Sequence, residues 1–294
     1  MNRSILPLLL LGVLLACSDG ARSGNAGDLD GDFKLDAPRP TILLIDAAGD
    51  VSRMLRLDPD ADEAVVVRPE LAASARGLTI DRTEGILYWA SREGDRIQMG
   101  RWNDASISDL PVAGLDSAYA IEYVAERDAL YWSDYGTNAI HRVRLGGGEV
   151  ETLIPGIEAP RQIAIDLVRE RIYWVDRGRG AVYEASLDGP PRRRLAFGFV
   201  APYGIVMDPT THTLLVADAE LGAIYRLDPI TQDLSMWLRE AGTHPSFLAV
   251  DTATSILYWT DNRDNVVRRR ALSGGPVEVV AEGLEGPRGL VLVR

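Results

Sequence analysis

The chain has 294 residues, of which 46% are hydrophobic, enough for one large domain or two ordinary ones with a sizeable core. Its formal net charge of −12 excludes a general nucleic-acid-binding role, because no overall positive field would attract phosphates. One cysteine excludes an internal disulfide framework.

The chain opens on a targeting pattern. Arg3 supplies a short positive region, and residues 5–15 form an apolar run too short to span a bilayer. The run ends in Leu14-Leu15-Ala16-Cys17, which resembles the lipobox of bacterial lipoproteins. That resemblance implies a signal peptide over residues 1–16, cleavage before Cys17, and lipidation of its thiol and new amino group. Several acyl chains on one residue suffice for stable anchoring. In that family Asp directly after the cysteine favours the inner membrane. Here Ser18 follows and Asp19 comes one later, so the expected location is the bacterial cell envelope at the outer membrane.

Residues 17–40 are rich in Gly, Asp, Ser and Ala and offer little to bury, which predicts a flexible acidic tether. Within it, Asp28, Asp30, Asp32 and Asp36 stand at alternating positions that suit a hard, oxygen-seeking Ca²⁺. The spacing resembles the calcium loops of FG-GAP repeats, with Phe33 where a glycine is usual, and fits an EF-hand poorly because Arg39 replaces the bidentate Glu. A weak Ca²⁺ site and a solvated acidic linker are both open on this pattern.

From Thr41 onward the chain repeats. Six apolar segments have their second residues at 77, 120, 162, 204, 247 and 289, giving steps of 43, 42, 42, 43 and 42. A period in the low forties with several strands per unit points to propeller blades. Most of these segments are followed by a turn and a second strand: Leu87-Tyr88-Trp89-Ala90-Ser91, Leu130-Tyr131-Trp132-Ser133-Asp134, Ile172-Tyr173-Trp174-Val175-Asp176, Leu214-Leu215-Val216-Ala217-Asp218 and Leu257-Tyr258-Trp259-Thr260-Asp261. A sixth, Ile42-Leu43-Leu44-Ile45-Asp46, stands alone near the start of the domain.

These segments resemble the YWTD (LDL-receptor class B) repeat family, with departures at Leu43-Leu44, Leu215-Val216 and Ser91. The resemblance covers residues 41–294 and implies an all-β, six-bladed β-propeller with four-stranded blades. The domain opens on a second strand and closes on a first strand, so the last segment is expected to complete the first blade, closing the ring without a free sheet edge. Residues 139–145 and 150–154 exemplify the third and fourth strands. Successive Tyr and Trp point to opposite sheet faces and fill both inter-blade gaps. The Asp ending the strand is expected to accept N–H bonds from the next loop, and Asp81, Asp166, Asp208 and Asp251 to form turns.

Catalytic patterns are sparse. His141, His212 and His244 fall at three different repeat positions and are not expected to converge. Gly146-Gly147-Gly148 joins antiparallel strands rather than opening a helix, which rules against a phosphate loop. The entrance of the innermost strand holds Arg76, Tyr119, Arg161, Tyr203, Ser246 and Arg288 in register, predicting a ring at one mouth of the central channel. Loops after the second strands add Arg92, Arg177, Arg179 and Arg263 on the same face. Arg and Tyr suit binding hot spots and anion contacts. A structural reading stands beside this one, since Arg at this position in the family also bonds neighbouring loops.

The expected function is therefore a non-catalytic binding or scaffold lipoprotein that uses one propeller face for a protein, peptide, glycan or anionic ligand. No cofactor is required in this reading. The alternative is a metal-dependent hydrolase resembling the six-bladed lactonase and gluconolactonase families, which hold a divalent ion on axial carboxylates. For that role the innermost strands offer mainly Glu122, with no evident second and third acidic partner.

Overall fold

The computed structural model describes residues 40–48, 51–58, 64–102, 104 and 106–293. The signal segment, Cys17 and the Asp28, Asp30, Asp32 and Asp36 stretch lie outside the described residues.

Six four-stranded antiparallel sheets form the six blades of a β-propeller. Blade 1 takes its innermost strand, Pro287–Val293, from the end of the chain and its other three, Thr41–Ala48, Val51–Leu57 and Ala64–Leu71, from the start. Leu44 pairs with Leu290 in that closing ladder, as the repeat register predicts. The innermost strands of blades 2 to 6 are Ala75–Asp81, Ala118–Val124, Pro160–Asp166, Pro202–Asp208 and Pro245–Asp251. In blade 3 the outer strands are Ala139–Arg144 and Glu151–Pro155, close to the sequence expectation.

One detail of that expectation changes. The ring is closed, yet every blade keeps an outer edge, because its fourth strand pairs on one side only. Those edges are blunted in different ways. The strand Ser108–Asp109 in blade 2 is two residues long, and Gly189–Phe197 in blade 4 presents Arg192, Arg193 and Arg194.

The Tyr-Trp pairs fill the inter-blade gaps. Tyr88 and Trp132 share the gap between blades 2 and 3, and Tyr131 and Trp174 that between blades 3 and 4. In general the Tyr faces the following blade and the Trp the preceding one. Where the motif departs, aliphatic residues keep the same assignment: Leu43 packs with Trp89, Leu44 with Tyr258, Leu215 with Trp259 and Val216 with Tyr173. The smaller Val216 is accompanied by Phe199, Met207 and Tyr225, which supply volume that a Trp would have filled.

The motif Asp is fully buried in all five copies and works more broadly than expected. Asp176 accepts from the amides of Glu158 (3.2 Å) and Ala159 (3.3 Å), in the loop that enters its own blade, and from Arg179 (3.2 Å) in its own turn. Asp218 does the same with Val200 (2.7 Å), Ala201 (3.1 Å) and Leu221 (3.4 Å). The tie therefore reaches back to the chain arriving from the preceding blade as well as forward. Ser91, lacking a second oxygen, accepts from Gly94 (3.1 Å) but donates to the Ala73 carbonyl (2.6 Å). Asp81, Asp166, Asp208 and Asp251 cap turns, each accepting a backbone amide two or three residues on.

If Trp174 and its counterparts are the packing units of the ring, Trp174→Ala should cost about 3–5 kcal/mol of stability in urea unfolding. A loss below about 1 kcal/mol would show that the gap between blades 3 and 4 is not held by this side chain.

Candidate functional site at the channel mouth

The residue at the mouth is the second residue of each innermost strand. At that point all six ladders slip register: between Ala75 and Leu78, Ala118 and Ala120, Pro160 and Ile163, Pro202 and Gly204, and Pro245 and Leu248, and opposite Leu44 and Asp46 in the closing blade. Such a bulge re-aims the side chain it carries. Just below, the strands crowd the axis. A Cβ on Gly204 would lie 2.0 Å from the Ser246 carbonyl, and one on Gly289 2.2 Å from the Arg76 carbonyl. Glycine is required there by close approach rather than by backbone angle.

Arg76, Tyr119, Arg161, Tyr203 and Arg288 line one cavity of about 320 Å³, joined by Arg92, His244, Asn262 and Arg263. Arg161 is 8% exposed and packs over the rings of Tyr119 (4.7 Å), Tyr135 (4.7 Å) and Tyr203 (5.4 Å). These cation–π contacts hold its guanidinium without an acidic partner. Arg177 lies over Tyr203 at 5.2 Å and Arg92 over Tyr135 at 5.6 Å. Arg288 donates to the Asn262 amide oxygen, while the Asn262 amide nitrogen donates to the Pro287 carbonyl (2.9 Å).

Two predicted residues serve differently. Ser246 is 2% exposed and does not line the cavity. Arg179 turns away to Glu158 (3.6 Å) and Asp176 (3.6 Å), so it belongs to a loop tie. Tyr119, 7% exposed, stacks at 5.5 Å on Phe247 from the blade directly across the ring, flooring the cavity. Below them Gln162 donates to the Leu248 carbonyl (2.8 Å) and accepts from the amides of Ile205 (3.2 Å) and Leu248 (3.0 Å), joining three blades.

The sequence reading does not place Tyr135, His244 or Asn262 at the mouth. Tyr135 and Asn262 occupy the position directly after the motif Asp, as do Arg92 after Ser91 and Arg177 after Asp176. That register position was the usable signal. His244 lies tilted against Tyr203 (5.6 Å) and stands apart from His141, which bonds Thr137 and Thr152, and His212, which faces Asp166.

The electrostatics are one-sided. Arg76, Arg92, Arg161, Arg177, Arg263 and Arg288 form no ion pair with any described acidic residue, whereas Arg53, Arg127, Arg142, Arg193, Arg268 and Arg269 elsewhere all do. The Nε atoms of Arg76, Arg161 and Arg288 are buried without a hydrogen-bond partner. Burial pushes the Arg76 pKa down to about 10, aided by the charges of Arg288 and Arg92, and burial also lowers that of Arg288. Both arginines remain charged at neutral pH, yet desolvation and mutual repulsion are built in, and an anion beside them would offset both. Burial lowers the pKa of His244, so the imidazole is neutral at pH 7.

Among the described residues no three His, Cys, Asp or Glu side chains gather as a metal site would need. Glu122 lies at the far end of the channel, below the Tyr119–Phe247 floor.

No protein-family model matches the chain, and no curated protein matches it in sequence. Solved structures do match in fold. A chain of the crystal structure of a nidogen/laminin complex superposes with a TM-score of 0.75 at 21% identity, covering 86% of this chain and 98% of that one. A streptogramin B lyase structure superposes with a TM-score of 0.59 at 15% identity, covering 83% of this chain and 74% of that one.

Proposed function

We propose that this protein is a non-catalytic binding module of the bacterial envelope whose arginine-lined mouth captures an acidic polypeptide surface. The observation that carries the reading is the convergence of five arginines on one cavity, with Arg177 beside them over Tyr203, all without an ion pair to a described acidic residue, on one face of a chain whose net charge is −12. Guanidinium groups favour carboxylates through paired, charge-assisted hydrogen bonds, and the tyrosines around them add rigid contact area. The likeness to a chain from a protein–protein complex supports a binding role at the level of the fold. The hydrolase alternative draws only on the lyase likeness, which is also one of fold, and on Glu122, around which no set of three ligating side chains gathers among the described residues.

In the same reading, Cys17 carries the lipid, residues 18–40 form the spacer, and the propeller is held off the outer membrane. The Asp28, Asp30, Asp32 and Asp36 loop would add weak Ca²⁺ affinity to that spacer.

Poly-L-glutamate is a direct probe of the mouth. The double variant Arg76→Gln, Arg288→Gln should bind it at least about tenfold more weakly, about 1.4 kcal/mol, with an unchanged unfolding midpoint. Equal binding by both proteins would move the site elsewhere. For the anchor, Cys17→Ser should abolish incorporation of radiolabelled palmitate and move the protein from the membrane to the soluble fraction. Continued labelling of that variant would refute lipidation at Cys17.

A further inference from the structure

The channel has a second end, on the face of the turns that join first and second strands. A cavity of about 460 Å³ opens there, walled by Ile80, Ile163, Ile165 and Val206 from blades 2, 4 and 5. The Tyr119–Phe247 stack and the Gln162 bonds separate it from the arginine-lined mouth. Four charged residues line this cavity; Asp81 is spent on the amides of its own turn and Glu126 is exposed, which leaves Glu122 from blade 3 and Arg82 from the turn of blade 2 as the pair available to a ligand. They influence each other electrostatically, yet no ion pair or hydrogen bond joins them. Arg82 spends one donor on the Leu292 carbonyl (2.7 Å), and the Glu122 carboxyl has no hydrogen bond among the described residues.

We propose that this cavity binds a small amphipathic zwitterion of the α-amino-acid type, with its ammonium on Glu122, its carboxylate on Arg82 and its apolar side chain against Ile80, Ile163, Ile165 and Val206. A simple cation would meet the charge of Arg82, and a simple anion would pair with Arg82 alone and leave the Glu122 carboxyl without an ionic partner. A neutral dipolar molecule satisfies both charges while its apolar part covers the aliphatic wall. A bridging water would satisfy the two charged groups but leave that wall unused.

The protonation of Glu122 supplies a second readout. Asp81, Tyr123 and Glu126 also line the cavity. Asp81 accepts the amides of Thr83 (2.9 Å) and Glu84 (3.2 Å), and the Tyr123 hydroxyl donates to Asp128 (3.3 Å). Burial raises the Glu122 pKa from 4.5 to about 8, with Arg82 acting in the opposite sense. The empty folded protein therefore holds a proton between those values that the unfolded chain has lost. Stability falls as pH rises through that window, and Glu122→Gln should flatten the slope. An ammonium ligand requires the carboxylate, so binding at pH 7 releases a proton and tightens towards pH 8.

The test is isothermal titration of the full chain with L-leucine, L-methionine and L-phenylalanine, in two buffers of different ionisation enthalpy. Isopentylamine and 4-methylpentanoate serve as single-charge analogues. The expected result is binding of at least one amino acid with proton release. Both analogues should bind at least tenfold more weakly, as should the best amino acid to Glu122→Gln or Arg82→Gln. Absence of amino-acid binding would overturn the proposal, leaving water as the occupant. So would an analogue that binds as tightly as the amino acid, or a folded Glu122→Gln protein with full affinity. The mouth variants Arg76→Gln and Arg288→Gln should leave amino-acid binding unchanged, which keeps this site distinguishable from the mouth.

Discussion

Each blade is fastened where its innermost strand begins by hydrogen bonds running in two directions. The amide directly after the motif position donates to a carbonyl of the entering loop in all six blades: Ala47 to Gly286, Arg92 to Ser74, Tyr135 to Ser117, Arg177 to Ala159, Ala219 to Ala201 and Asn262 to His244. In five of them the buried Asp carboxylate accepts amides from that same loop. Hydrogen bonds to a buried charge are worth about 1.5–3 kcal/mol each, and an orphaned carboxylate there would carry a large desolvation cost. The clamp thus couples ring closure to the position of the loops. Because the mouth residue lies two places after the clamped carbonyl, the same bonds fix where the arginines stand.

That coupling explains how unpaired positive charge can persist. Six guanidinium groups at one mouth repel, and burial makes Arg76 and Arg288 more costly to keep charged. A flexible rim would relax by turning them out to solvent. Here Arg161 is enclosed by three aromatic rings, Arg288 is tied to Asn262, and the bulged backbone beneath them is locked by the clamp. In the proposed role this preorganisation would lower the entropic cost of capturing an anion.

Much of the architecture was legible in the chain because it repeats. The forty-two to forty-three residue step, the Tyr-Trp pairs and the terminal Asp each recur, and recurrence turns a weak local signal into a topology. Even the departures at Leu43-Leu44 and Leu215-Val216 keep their gap assignments. The mouth was legible only in part, because repeat register says which residues share a level but not which way each one turns. Ser246 sits at the right level and is buried, while Arg179 lies on the right loop and pairs with Glu158. The Tyr119–Phe247 floor joins blades half a ring apart, a pairing that no local pattern encodes. The separation of Glu122 from Arg82 likewise depends on side-chain direction.

The central claim is that the Asp clamp holds the mouth in its binding form. Hydrogen exchange of an Asp176→Ala variant, read at the entering-loop amides, tests it most directly. The account predicts lost protection at Glu158 and Ala159, preserved protection in the innermost strands, and weakened capture of poly-L-glutamate. Entering-loop amides that stay protected, or capture that persists after protection is lost, would contradict it.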